Sequence, residues 1–142
     1  MVLVFIKYYI DIIMAGTKIW GPKVWKILHI GAALKYPPRF YKLVAMLIPC
    51  PVCVSHYNRN LQSHRTDGYE IKFINFHAMV NANHVKPRRT NVRAPEGGWI
   101  EYYKKFTQKD IITELDNLQR AIPILRLQVN MVKREIASYK SL

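Results

Sequence analysis

Two cysteines are the residues of this chain best suited to do chemistry, and they sit three apart in Pro49-Cys50-Pro51-Val52-Cys53. They are the only cysteines among 142 residues. Thiols at i and i+3 share one side of a helical turn and lie close enough to bond to each other. Pro51 disfavours helical geometry at Cys50 and suits the first position of a helix. The spacing therefore predicts Cys50 at the mouth of a helix that runs through Cys53, His56 and Tyr57 and fades near Leu61. Partial positive charge at a helix N-terminus favours thiolate over thiol. A redox-active dithiol is built in this way. Two duller readings use the same residues. One is a pair of buried structural thiols. The other is half of a zinc site, completed by His56 and by His77 or His84, although the spacing of His77 and His84 does not match the usual ligand pair.

Composition narrows the setting. The length suits one domain. Half the residues are hydrophobic, enough for a real core, and 12% are aromatic. Two cysteines cannot form the disulfide framework of a small secreted protein, so a bond between them would be a working bond. The formal charge of +13 raises nucleic acid, membrane surfaces and acidic proteins as partners. The cations are scattered, however, and Lys86, Arg88, Arg89 and Arg93 form the one tight cluster. With no nucleic-acid module in view, the charge reads as a solvated surface with an anion site, and no specific nucleic acid is expected.

The elements that must position the dithiol follow from breakers and periodicity. Met1 to Met14 is apolar but broken by Lys7 and Asp11, and too short for a normal span, so no transmembrane span is expected. It reads as a buried leading segment, a membrane-associating one, or an upstream extension with Met14 as the start. Gly21-Pro22 reads as a turn feeding a helix to about Lys35, stopped by Tyr36-Pro37-Pro38. Trp25, His29, Ala32 and Tyr36 recur at helical spacing and should share a face. A second helix is expected from Pro38 to Ile48, before the dithiol helix. Asp67-Gly68 marks a turn. Tyr69 to about Asn83 reads as a further helix, although its start would also suit a strand. Lys86 to Gly98 reads as a loop, and Trp99 to Phe106 as a short helix. Thr107 with Asp110 resembles a capping box. It opens a long amphipathic stretch through Ile111, Leu115, Leu118, Ile122, Leu125, Val129, Val132 and Ile136, which Pro123 should kink. That stretch packs on its own core or serves as a dimerisation arm.

Three blocks coincide in order and spacing. They are Trp20-Gly21-Pro22-x-x-Trp25-x-x-Leu28-His29-x-x-Ala32 running to Tyr36-Pro37, then Ile48-Pro49-Cys50-x-x-Cys53-x-x-His56-Tyr57, then His77-x-x-Val80-Asn81 with Lys86-Pro87 after it. Together they resemble the Erv/ALR family of FAD-linked sulfhydryl oxidases, and most of all its short forms from large DNA viruses. The likeness covers roughly Ile19 to Phe106. It implies an all-α fold, a four-helix bundle with a short fifth helix, to which this chain adds a C-terminal amphipathic helix. The division expected is an apolar extension over 1–16, an oxidase domain over 17–106 and a helical extension over 107–142.

The same resemblance implies noncovalent FAD, a homodimer, dioxygen as acceptor and thiol-containing substrate proteins or a shuttle dithiol protein as partners. It implies that Cys53 lies against the flavin and that Cys50 is the interchange thiol. Gly21, Lys23, Trp25, His29 and Tyr36 would hold the cofactor from the first helix, and His77, Val80 and Asn81 from a later one. Lys86 would lie near the adenosine or its phosphates, and Trp99 would add a late aromatic contact. No metal is implied. A viral protein of this kind would work in the host cytoplasm or the virion.

This chain departs from the family pattern at Ala78, where asparagine is usual, and at His84-Val85, where Leu-Gly is usual. It also lacks the distal shuttle cysteines and the structural disulfide of many members. Electrons must then come directly from another polypeptide. No Gly-x-Gly-x-x-Gly fingerprint is present, which excludes a Rossmann flavin site, and the strand–helix alternation of a thioredoxin-like domain is missing. The competing function class is a non-catalytic basic helical binding or assembly protein with a vestigial or zinc-binding CxxC.

Overall fold

The computed structural model describes residues 19–63 and 98–139. Those residues are all-α, with no strand among them. The helix expected over Tyr69 to Asn83 lies outside the described residues.

Helix α1 occupies residues 19–33. Gly21 and Pro22 are already helical, so the expected turn at this dipeptide is not formed. Proline is tolerated in a first helical turn, where little hydrogen bonding is forfeited. The far end of α1 is closed by a Schellman motif. The Tyr36 N–H donates to the Gly31 carbonyl and the Lys35 N–H to the Ala32 carbonyl, both at 3.0 Å. Such a closure needs a left-handed residue, and Lys35 supplies it at φ 59°. Glycine is the usual occupant because a Cβ is strained there.

This reversal lets the chain double back at once. Pro37 is extended and Pro38 opens α2, Pro38–Val44, which continues as a 3-10 turn over Ala45–Leu47. The ring of Phe40, fully buried, lies directly over Gly31, where a Cβ would come within 2.3 Å of Cε1. Gly31 is therefore the point of closest approach between α1 and the start of α2. Helix α3, Pro51–Ser63, begins after a three-residue break.

Helix α4 is short, Gly98–Tyr103. At the start of α5, Gln108–Ala121, the Asp110 carboxylate accepts the Thr107 N–H at 2.7 Å, as the sequence pattern suggests. Pro123 reverses the chain where a kink is expected. Ile122 leaves helical geometry at φ −134°, a 3-10 turn spans Pro123–Leu125, and α6, Arg126–Ala137, packs back on α5. Lys133 pairs with Asp116, residues that a continuous helix would hold about 25 Å apart.

The apolar stripe of this hairpin is buried in one core with α1, α2 and Tyr57 of α3. Ile111, Leu115, Leu118, Val129, Val132 and Ile136 are all fully buried. Removing a Leu or Ile side chain of this kind from water is worth about 1.5–3 kcal/mol each. Polar contacts register the layers at the rim. Lys26 of α1 meets Glu114 of α5 at 3.2 Å, and Arg39 of α2 meets Glu135 of α6 at 2.8 Å.

Two substitutions test this frame by thermal or denaturant unfolding. Gly31→Ala should destabilise by about 1–3 kcal/mol, because a buried ring must shift to admit the methyl. Lys35→Gly should stabilise by about 0.5–1 kcal/mol by relieving the left-handed residue. Equal stability of Gly31→Ala and the parent would contradict the close approach.

Candidate active site

Cys50 stands at the N-cap of α3. Its carbonyl accepts the Val54 N–H at 2.9 Å, and its sulfur accepts the Cys53 backbone N–H at 3.4 Å. Pro51 takes the first helical position. The local reading of Pro49-Cys50-Pro51 therefore holds: the prolines set where the helix begins, and that places both thiols on its first turn.

Both cysteines are free thiols, each half-buried. The Cys53 thiol donates to the Cys50 sulfur with the two sulfurs 2.7 Å apart. A disulfide bond is about 2.05 Å long, so closing it takes a displacement of roughly 0.7 Å. Burial pushes the Cys53 thiol up to about 12, and its hydrogen bond to Cys50 and the charge on that neighbour act in the same direction. In the reduced pair Cys53 therefore keeps its proton, with Cys50 as the acceptor sulfur.

One turn beyond Cys53, the buried Tyr57 hydroxyl donates to the Tyr41 carbonyl at 2.6 Å. Tyr41 lies in the last turn of α2. This bond ties the dithiol helix to α2. His56 is exposed on the same helix. Among the described residues no group of three His, Cys, Asp or Glu side chains is placed to hold a metal ion.

A second group of residues forms an aromatic wall on α1 and α4. His29 is almost wholly buried, 4% exposed. Its ring stacks on Tyr103 at 4.8 Å with an interplanar angle of 12°, and Trp25 lies on it at 6.0 Å. Trp25, Tyr103, Cys50 and Cys53 all pack against the same buried core. Tyr103 is absent from the set that the sequence motifs pick out. Its signal is the aromatic run Tyr102-Tyr103-x-x-Phe106, whose spacing is helical.

Tyr36 does not join this wall. Because α1 ends at residue 33 and Lys35 turns left-handed, Tyr36 falls off the face of Trp25 and His29. Its hydroxyl donates to Gln108 Oε1 at 2.9 Å, and its ring meets Phe40 and Tyr139. Lys23 is turned onto its own helix, where Nζ donates to the Ile19 carbonyl at 2.9 Å. Gly21 is buried, and a Cβ there would meet no atom of the described residues within 4 Å. Beside it the Trp20 indole N–H is buried without a hydrogen-bond partner among the described residues. Trp99 lies within α4. His77, Val80, Asn81 and Lys86 lie outside the described residues, as do Ala78 and His84.

No helix among the described residues is long and apolar enough to cross a membrane. No protein-family model matches the chain, and no curated protein and no solved structure matches it significantly.

The raised Cys53 thiol makes stability depend on pH. The folded state holds its proton up to about 12, whereas an ordinary cysteine gives it up near 9.0. That contribution is fully present below pH 9 and is lost as pH rises towards 12. Tyr36 and Tyr103, each raised by burial from 10.0 to about 12, act in the same direction. The reduced protein should therefore lose melting temperature more steeply between pH 9 and 12 than the protein with a Cys50–Cys53 disulfide, which keeps only the tyrosine contribution. Parallel pH profiles of the two forms would contradict the burial assigned to Cys53.

Proposed function

We propose that the protein is an FAD-dependent thiol oxidase of the Erv/ALR type, a helical bundle that forms disulfides in substrate proteins. The observation that carries this reading is the free Cys50–Cys53 pair at a helix start, with its sulfurs 2.7 Å apart. Support comes also from the sequence blocks on either side of it.

Residues of α1 fit a bound planar group. An unpartnered buried donor such as the Trp20 N–H calls for an acceptor. Gly21, Trp25 and His29 lie on the same helix, with Trp25 half-buried and the His29 ring stacked on both Trp25 and Tyr103. These four residues, with Tyr103, would hold the isoalloxazine side of FAD. His77, Val80, Asn81, Lys86 and Trp99 remain as the resemblance implies them. Tyr36, occupied by Gln108, is assigned to the core instead. When bound, FAD supplies the two-electron acceptor that returns the dithiol to a disulfide, with dioxygen reduced to hydrogen peroxide.

The cysteines do the rest. A substrate thiolate attacks the Cys50 sulfur of the oxidised pair, the Cys50–Cys53 bond breaks, and Cys53 leaves and takes a proton. The second substrate thiol then attacks the mixed disulfide. The substrate's own disulfide closes, and Cys50 is released reduced. Cys50 suits the first role because it stands at the helix mouth. Cys53 takes the second as the sulfur paired with Cys50, and its raised proton affinity makes its departure slow.

The purified protein should be yellow, with a flavin spectrum, and should consume oxygen with a small dithiol. Cys50→Ser and Cys53→Ser should each lower that turnover at least a hundredfold. Cys53→Ser should abolish flavin reduction, whereas Cys50→Ser should show a long-wavelength charge-transfer band only once the pH is raised far enough to ionise Cys53. Normal turnover in either variant, or zinc bound in place of flavin, would sink the oxidase in favour of a non-catalytic binding protein.

A further inference from the structure

Charge is divided unequally between the two halves of the molecule. From residue 12 to residue 66 the chain has no aspartate or glutamate. Residues 19–63, which carry the dithiol, hold the cations Lys23, Lys26, Lys35, Arg39, Lys42 and Arg59 within that interval. The carboxylates among the described residues all lie on residues 98–139, and each is engaged. Glu101 meets Lys104 and Asp116 meets Lys133 within that half, while Asp110 caps α5. Glu114 and Glu135 reach across to Lys26 and Arg39. No described carboxylate belongs to α1, α2 or α3.

An exposed cation, Lys42, adjoins the residue of α2 that is bonded to the dithiol helix. Tyr57 lies one turn, about 6 Å, along α3 from Cys53. Its hydroxyl is bonded to the carbonyl of Tyr41, the neighbour of Lys42, and Lys42 is exposed. Met46, 38% exposed, stands in the 3-10 turn that leads to Cys50 and offers an apolar contact. At physiological salt, charges act over about 8 Å. A face of one sign steers the encounter of an oppositely charged partner and can raise its rate by roughly ten to a thousandfold.

We propose that the Cys50–Cys53 pair selects partner proteins whose cysteines are flanked by acidic residues. The inference rests on the reading that this pair exchanges with substrate thiols. A protein segment suits the site better than nucleic acid does, because the acid-free interval carries a dithiol that reacts only with sulfur.

The test uses the reduced full-length protein and two synthetic peptides. Each peptide carries one cysteine activated as a 2-pyridyl disulfide, flanked by aspartates in one and lysines in the other. Cys50 attacks the peptide sulfur and the bond to the pyridyl sulfur breaks. Pyridine-2-thione leaves with a proton and is read by its absorbance. Cys53 then displaces the peptide thiol and closes the Cys50–Cys53 disulfide. Neither flavin nor oxygen takes part, so failure of the oxidase reading shows separately, as absent oxygen uptake with a small neutral dithiol.

The aspartate peptide should react at least about tenfold faster at low salt, with the ratio falling towards one as salt is raised. Lys42→Glu should cut the low-salt ratio roughly threefold. Equal rates at low salt, or a preference for the lysine peptide, would overturn the proposal. Equal rates together with tight binding of a random DNA duplex would assign the charge to nucleic acid and overturn it as well.

Discussion

The buried hydrogen bond from the Tyr57 hydroxyl to the Tyr41 carbonyl is the constraint through which the dithiol meets the rest of the fold. Beside it, the Tyr57 ring packs in the core, and Cys50, Cys53, Val54 and Leu61 lie partly buried against that core. The bond adds a side-chain donor to a carbonyl of α2 and holds the first turns of α3 at a fixed height on the core. A hydrogen bond of this kind is worth about 0.5–1.5 kcal/mol. The half-burial of both sulfurs, and the high proton affinity of Cys53, result from that placement.

The core beneath α3 is shared across the whole described chain. The α5–α6 hairpin covers α1 and α2, and its two ion pairs reach the cations that would otherwise add to the charge of the dithiol-bearing half. Stability and electrostatics are therefore linked. Among the described residues the carboxylates lie on 98–139, where Glu114 and Glu135 hold the hairpin down, and α1 to α3 carry none. The amphipathic stretch after Thr107 buries its apolar face inside this chain, on that core.

Much of the local structure is legible in the residues. Proline positions set the starts of α2 and α3, and Thr107 with Asp110 marks the start of α5. Other features are not, for identifiable reasons. Lysine carries no signal for the left-handed state, so the end of α1 and the displacement of Tyr36 from the face of His29 are hidden. Proline inside a periodic stretch permits either a kink or a reversal. At Pro123 the choice is made by burial of both helical stripes against each other, a tertiary effect. Gly21-Pro22 has the composition of a turn, but a helix tolerates both residues in its first turn. At the candidate site, the CxxC spacing and the pairing of Trp25 with His29 can be read in advance. The stacking of Tyr103 on His29 needs the fold, because 74 residues separate them in sequence and only tertiary packing joins α1 to α4.

The central claim is that one dithiol and one flavin form a single redox unit on this chain. An anaerobic reductive titration of the oxidised protein, monitored by its visible absorbance and by free-thiol counting, tests it most directly. The account predicts that each chain takes up two electron pairs, one appearing as the Cys50 and Cys53 thiols and one as bleaching of the flavin band. Uptake of a single pair, with two new thiols and no visible chromophore to bleach, would contradict it.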